Sequence, residues 1–404
     1  MSPTHRDENR LLSSPPRKRG STSVWKGLDS RFRGNDVTFD GAQRGISPAA
    51  LGFRLPAEWE PHEATWIGWP HNLSDWPGKF TPIPWVYGEI VRKIAPAETV
   101  RILVNSKAHE EQARRILRRV GVDLSCVEFF RFPTNRGWTR DFGPIFVKRD
   151  APRPDVAIVD FGFNGWGKYP NWQKDNKVAS LAAGALGCRL FQVKVKGRDF
   201  VLEGGSVDGN GCGTLLTTEE CLLDPEVQVR NLALTRQETE EALREYLGVE
   251  NVLWLGKGIA GDDTHGHVDD LCRFVGPRTV VLCQESDSSE ANFRPLQENR
   301  ERLQGMRLED GSRIEVVGLP MPMPLLLDGQ RLPASYANFY ISNAAVLVPT
   351  FNDPNDRIAL DTLAELFRDR PVIGIHAVDL VWGLGTLHCL THEQPGTAKA
   401  ETRN

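Results

Sequence analysis

The 404-residue chain has no run of about 18 consecutive apolar residues, which excludes a membrane-spanning helix. Its seven cysteines (Cys126, Cys188, Cys212, Cys221, Cys272, Cys283 and Cys389) are odd in number, widely spaced and form no CxxC pair. Neither a disulfide framework nor a zinc ribbon is indicated, and reduced thiols in a cytoplasmic protein are the expectation. The basic residues Arg17, Lys18 and Arg19 are not followed by an apolar stretch, so no secretory signal is expected. Positive charge is not in excess either: 49 Lys/Arg stand against 53 Asp/Glu, a net of −4. Residues 1–50 hold 9 basic and 5 acidic side chains, which leaves the remainder at 40 against 48. An acidic body argues against nucleic acid as the main partner and suits a cationic one.

Residues 1–50 are rich in Ser, Pro, Gly and Arg without sustained periodicity and read as a disordered basic tail. Their Leu28–Asp36 run resembles translated intergenic repeat sequence and raises the question of a start codon placed too far upstream. Residues 51–396 are expected to form a single catalytic domain and 397–404 a second disordered tail. Helical spacing recurs over 107–120, 174–186, 235–247, 289–302 and 356–369. Thr235-x-x-Glu238 reads as a capping box and Asp356 as an N-cap, and Pro295 should delay or kink the fourth helix. β-like runs separate these helices: 100–104, 126–132, 156–161, 190–195, 214–218, 252–255, 280–283, 314–317, 339–348 and 372–375. Units of roughly 60 residues, each with two or three strands and one helix, point to a repeat architecture that closes on itself. A doubly wound α/β sheet fits this periodicity equally well.

Four short segments carry candidate chemistry. Asn135–Pro144 brackets an Arg140-Asp141 pair with Gly and Pro, and a surface ion pair is the plain alternative. Leu202–Ser206 puts the carboxylate Glu203 beside two glycines, which permit close backbone approach. Asp262–Asp270 gathers six acidic or imidazole groups within nine residues. If that stretch is extended, His265, His267 and Asp269 share one face, an HxHxD spacing suited to a hydrolytic metal centre. Trp382–His392 surrounds Cys389 with glycines and polar residues, a setting for a nucleophilic thiol rather than a core cysteine. A Cys, a His and several carboxylates on separate repeats could converge on one centre. Paired carboxylates are what the planar fork of a guanidinium requires.

From about Leu55 to Pro395 the chain resembles the agmatine deiminase family, grouped with bacterial-type peptidylarginine deiminases in the guanidino-group-modifying superfamily. The resemblance is carried by Pro56–His62, Trp138–Pro144, Phe163–Gly167, Leu202–Gly205, Gly266–Asp269, Ser335–Tyr340 and His388-Cys389. It implies a five-bladed, pseudo-symmetric α/β propeller (pentein) of ββαβ units. It also implies hydrolysis of a guanidinium to a ureido group with loss of ammonia, agmatine giving N-carbamoylputrescine. On this reading Cys389 is the nucleophile, His267 the acid and base, and Asp141 and Asp269 the guanidinium clamp. Glu203 orients His267, and Trp138 and Asn338 lie near the substrate. No metal or other cofactor is implied. The partner is a small cationic guanidino compound, and homo-oligomerisation stays open.

The sequence departs from the family pattern before Cys389, where Gly383–Leu387 replaces a Gly-Gly-Gly-Asn-Ile run, and at His265, where an acidic or amide residue is usual. Both changes touch the pocket rim. Arginine or peptidyl arginine as substrate, and amidino transfer to an amine, are therefore kept as alternatives. A metallohydrolase centred on His265, His267 and Asp269 is a distant one.

Overall fold

A computed structural model describes residues 46–397. Five sheets of three or four strands dominate it, and each obeys one rule. A middle strand pairs antiparallel with a neighbour on one side and parallel with a neighbour on the other. The middle strands are His62–Gly68, Asp155–Asp160, Thr214–Thr218, Thr279–Gln284 and Val346–Thr350. Their antiparallel partners are Thr391–Pro395, Ile145–Arg149, Asp208–Gly209, Cys272–Phe274 and Tyr340–Ile341. Their parallel partners are Thr99–Leu103, Arg189–Gln192, Asn251–Leu255, Glu315–Pro320 and Val372–His376. A parallel connection needs a crossover, and each unit makes it with a helix. These helices are Ile83–Ile94, Val178–Leu186, Arg236–Leu247, Phe293–Gly305 and Asn355–Leu366. The chain is thus a mixed α/β protein built on a repeated unit. The first sheet takes its antiparallel strand from the C-terminal end of the described chain.

The sequence periodicity places four of the five repeat helices. The first repeat helix, Ile83–Ile94, is not among them, although its buried residues Ile83, Pro84, Tyr87, Gly88, Ile90, Val91 and Ile94 share one face at helical spacing. The helix expected at 107–120 is present as Lys107–Arg119, but it is an additional crossover to the extra strand Val127–Phe130. The fourth helix starts late, at Phe293, with Pro295 in its first turn, as the proline dictates. Asp356 is not an N-cap: Pro354 holds that position, and the Asp356 carboxylate accepts from Phe351 N at 2.9 Å and Asp353 N at 3.1 Å. In the five main sheets the expected runs omit His62–Gly68, Ile145–Arg149, Asp208–Gly209, Cys272–Phe274 and Thr391–Pro395, and the run expected over 339–348 is two antiparallel strands, Tyr340–Ile341 and Val346–Thr350. Ordered chain also starts earlier than Leu55, with a short 3-10 turn at Ala49–Leu51 and Phe53 buried. The rest of the expected N-terminal tail, residues 1–45, and residues 398–404 lie outside the described residues. No helix among the described residues is long and apolar enough to cross a membrane.

The capping box on Arg236–Leu247 is complete. The Thr235 side chain accepts from Glu238 N at 3.3 Å, and Thr235 N donates to Glu238 Oε2 at 3.0 Å. Thr235→Ala removes one half of this exchange and is expected to cost about 1 kcal/mol of stability, read from the urea midpoint at unchanged m-value.

Candidate active site

Five polypeptide segments enter the centre, and each lies two to five residues ahead of the antiparallel edge strand of its sheet. Asp141 is on the short helix Thr139–Phe142, before Ile145–Arg149. Glu203 opens the 3-10 turn Gly204–Ser206, before Asp208–Gly209. His267 and Asp269 precede Cys272–Phe274, and Asn338 precedes Tyr340–Ile341. Cys389, on Leu387–Leu390, precedes Thr391–Pro395. One repeated backbone position thus delivers most of the chemistry, and the fold converts residues far apart in sequence into neighbours.

The neighbours are close. His267 Nδ1 lies 3.7 Å from Asp141 Oδ1 and 3.9 Å from Asp269 Oδ1, and its Nε2 lies 3.8 Å from Glu203 Oε2. Cys389 Sγ is 3.8 Å from Asp269 Oδ2 and accepts from Asn338 Nδ2 at 3.1 Å. Asp141 accepts from Trp166 Nε1 at 2.9 Å and from Gly205 N at 3.2 Å. Gly205 has to be glycine, because a Cβ there would stand 2.6 Å from His267 Nδ1 and 2.9 Å from Asp141 Oδ1. At Gly385 a Cβ would stand 2.8 Å from the Trp138 ring and 3.2 Å from Cys389 Sγ. The glycines before the cysteine therefore allow the close approach that the sequence anticipates. A cavity of about 60 Å³ opens onto Cys389, with Asp141, Trp138, Trp166, Arg136 and Asp75 in its wall. Its outer charges are already matched: Arg136 pairs with Asp75 at 2.6 Å, and Asp263 accepts from Lys168 and from Tyr169 Oη.

Burial and charge set the proton inventory. Burial, then the acidic neighbours led by Asp269, push the Cys389 thiol well above its usual range, so it holds its proton in the free protein. Burial alone would lower His267, but the Asp141 carboxylate, with Cys221 and Glu203 beside the ring, more than offsets it; the imidazole keeps its proton well above neutral. Glu203 is buried yet held down to about 2, chiefly by Arg230, whose Nε is 3.0 Å from Oε1, and then by His267. Burial pushes Asp141 up to about 6, with His267 opposing and Asp269 and Glu203 assisting. Burial and the Asp269 charge raise Asp270 well above the carboxylate range.

The structure brings together every residue singled out for the centre, with three qualifications. Arg140-Asp141 is buried, so the surface ion-pair reading fails. Asn338 bridges Cys389 and Asp270 through Nδ2, the latter at 3.0 Å, so it touches the thiol itself. The segment 262–270 is a chain of turns rather than an extended strand. His265 has φ 65° and its ring binds Asp224 Oδ2 at 3.0 Å, so it does not share a face with His267 and Asp269. Among the described residues, the groups with metal-ligand atoms close together are Glu203, Cys221 and His267, and Asp269, Asp270 and Cys389. Neither contains His265. Sequence reasoning missed Arg230, Glu58 and Trp166, which act from loops whose proximity only the fold creates.

A sequence profile of the Porphyromonas-type peptidyl-arginine deiminases matches residues 54–395. The chain belongs to this family. Peptidyl-arginine deiminase-type relatives include an agmatine deiminase of Pseudomonas aeruginosa, 34% identical over 381 residues that cover 88% of this chain and 98% of that protein. Among solved structures, the agmatine deiminase of Enterococcus faecalis superposes with a TM-score of 0.79 at 32% identity, covering 87% of this chain and 98% of that one. A cysteine-to-serine variant of C. jejuni agmatine deiminase with substrate bound superposes with a TM-score of 0.76 at 31% identity, covering 86% and 97%.

The raised thiol has a direct readout. Iodoacetamide alkylation of Cys389 in the free protein, followed on its peptide by mass spectrometry, is expected to be slow at neutral pH. It should still be rising above pH 9, the ordinary thiol value. A plateau near neutral pH would mean a resting thiolate and would contradict the charge balance described here.

Proposed function

We propose that this chain hydrolyses a guanidinium to a ureido group and ammonia, with agmatine as substrate and N-carbamoylputrescine as product. One observation carries the reading: two buried polar atoms 3.9 Å apart, His267 Nδ1 and Asp269 Oδ1, have no hydrogen-bond partner, and Asp269 borders the thiol. Buried polar groups are ordinarily paired, so a pair of orphans beside a nucleophile marks the place of a polar ligand. The orphan acceptor belongs to a carboxylate, and a second carboxylate, Asp141, stands beside the same imidazole. A planar cation with several N–H donors answers that arrangement. The agmatine deiminase relatives point to the same substrate class.

The five sheets are read as blades of a pseudo-symmetric propeller whose edge-strand entries meet at its centre. Residues 51–396 are read as one catalytic domain.

The guanidinium enters between Asp141 and Asp269. Its positive charge offsets the carboxylates that hold the thiol up, and Cys389 loses its proton to solvent. The thiolate attacks the central guanidinium carbon, forming a C–S bond and a neutral tetrahedral adduct. His267 gives its proton to one nitrogen, the C–N bond breaks and ammonia leaves, which creates a cationic amidino thioester on Cys389. The now neutral His267 takes a proton from water, and the resulting hydroxide adds to the same carbon. Collapse expels the Cys389 sulfur, which recovers a proton from the adduct hydroxyl. Ammonia takes up the proton first released. Glu203, locked by Arg230, holds the His267 ring at its far nitrogen. Asn338 donates to the sulfur and steadies the thiolate. Trp138 forms the wall against which the flat group lies.

Cys389→Ala is expected to abolish ammonia and ureido product formation from agmatine; undiminished turnover would sink the proposal. Arginine and a peptidyl arginine assayed beside agmatine separate the substrates. In the wild type, kcat/KM should fall on the acid side with a midpoint near pH 6, where Asp141 of the free enzyme gains a proton and the clamp loses a charge. A profile flat down to pH 5 or so would remove Asp141 from the clamp.

A further inference from the structure

We propose that His388 is a positioning residue for the guanidinium clamp: clasped between Asp269 and Glu58, it takes up one oxygen of Asp269 and leaves the other bare for the substrate. The proposal rests on the deiminase reading above and names a part of the site outside it.

The His388 ring is buried, and both of its nitrogens meet carboxylates. Nδ1 is 2.7 Å from Asp269 Oδ2, and Nε2 is 2.7 Å from Glu58 Oε2. An imidazole donates at both nitrogens only when both carry protons. Two short contacts to ionised carboxylates therefore describe an imidazolium held at both ends. Asp269 Oδ2 is thereby occupied, whereas Oδ1 has no partner and lies on the His267 side. Without a donor on Oδ2, the carboxyl could rotate about its terminal bond and offer either oxygen. With the donor in place, it presents one acceptor in one direction.

Glu58 is fixed in turn. Its Oε1 accepts from Ile341 N at 2.7 Å, and its Oε2 also faces Arg273 at 2.9 Å and Arg140 at 3.3 Å. Arg140 Nε donates to the His388 carbonyl at 3.3 Å, so both the ring and the backbone of His388 are tied. Glu58 and His388 line a separate cavity of about 30 Å³ together with Arg140 and His392, and the contact of His388 with Asp269 Oδ2 is what links them to the residues around Cys389.

The arrangement also concerns charge. Burial would raise Asp269, but the hydrogen bond and charge of His388, with help from His267 and Arg273, hold it below the usual carboxylate range. The groups facing Asp269 are His267 and Asp270 on its own segment, and Asp141, Cys389, His388 and Arg273 from the others. Those facing His388 besides Asp269 are Glu58, Arg140, Asp208 and His392. Burial and the Arg140 charge push His392 down to about 3, so it adds no positive charge at neutral pH. Removing the His388 cation leaves Asp269 among acidic neighbours, and its proton affinity must rise.

The test compares two variants that each keep half of the clasp. His388→Asn can retain a donor at the Nδ1 end, toward Asp269. His388→Gln can retain one at the Nε2 end, toward Glu58. Agmatine kinetics across about pH 5.5 to 9 should show His388→Gln raising KM about tenfold, with a smaller fall in kcat. Its acid limb, set by Asp141 near pH 6 in the wild type, should steepen and move upward, because Asp269 now takes a proton in the same range as Asp141. His388→Asn should recover most of the KM but keep part of the shift. Unmoved acid limbs in both variants, or a His388→Gln enzyme with the lower KM, would overturn the proposal. A merely structural role would lower activity evenly across pH. Wild-type turnover of agmatine, measured alongside, decides the deiminase reading separately. Neutron diffraction of the wild-type protein at neutral pH does not depend on either variant folding. Deuterons on both His388 ring nitrogens are expected, and a single deuteron would overturn the assignment.

Discussion

Four buried carboxyl groups crowd the Cys389 thiol and the His267 ring, and their mutual repulsion is the constraint on which the centre depends. Two like charges about 4 Å apart repel by roughly 4 kcal/mol even at an effective dielectric near 20. The protein answers group by group. Asp270 keeps its proton, Glu203 takes Arg230, Asp269 takes His388, and Asp141 shares His267. The negative potential that remains is what a guanidinium can neutralise, and it also holds the sulfur protonated until such a cation arrives. In the proposed reaction, affinity for the cation and activation of the sulfur share one electrostatic origin.

The repeated unit explains how so much charge reaches one point. Each sheet presents the chain at the same place, just before its antiparallel edge strand, and the loops there are short. Short loops on packed strands leave the side chains little freedom, so the geometry is fixed before any ligand is bound. Two buried arginines arrive by other routes: Arg230 lies in the connection between Glu219–Leu223 and Arg236–Leu247, and Arg273 is on an edge strand with its side chain fully buried.

Much of this was legible in the chain itself. The capping box at Thr235 and the late start at Pro295 are local effects and hold in the fold. The short polar motifs identified the residues that now surround Cys389. Illegible were features created by burial and distance. Thr391–Pro395 carries no alternating apolar pattern and shows as a strand only against His62–Gly68. The HxHxD reading failed because His265 adopts a left-handed turn, which redirects its ring toward Asp224. Glu58 looked like one residue of a conventional N-terminal motif. Its contacts with Arg273 and His388 lie hundreds of positions away, and no local spacing encodes them.

The edge strand behind the cysteine has a consequence for how the molecule is made. Trp66 Nε1 donates to Gln394 Oε1 across 328 positions of chain, and the nucleophile is carried on the turn that leads into this pairing. Ribosomes deliver the N-terminal half first, and closing so long a loop costs chain entropy that only completed packing can offset. Folding of the middle repeats can run ahead, but the sulfur reaches its carboxylates only after the first and last segments have met. A chain that stops short of this last segment lacks Cys389 and also His388, the partner of Asp269.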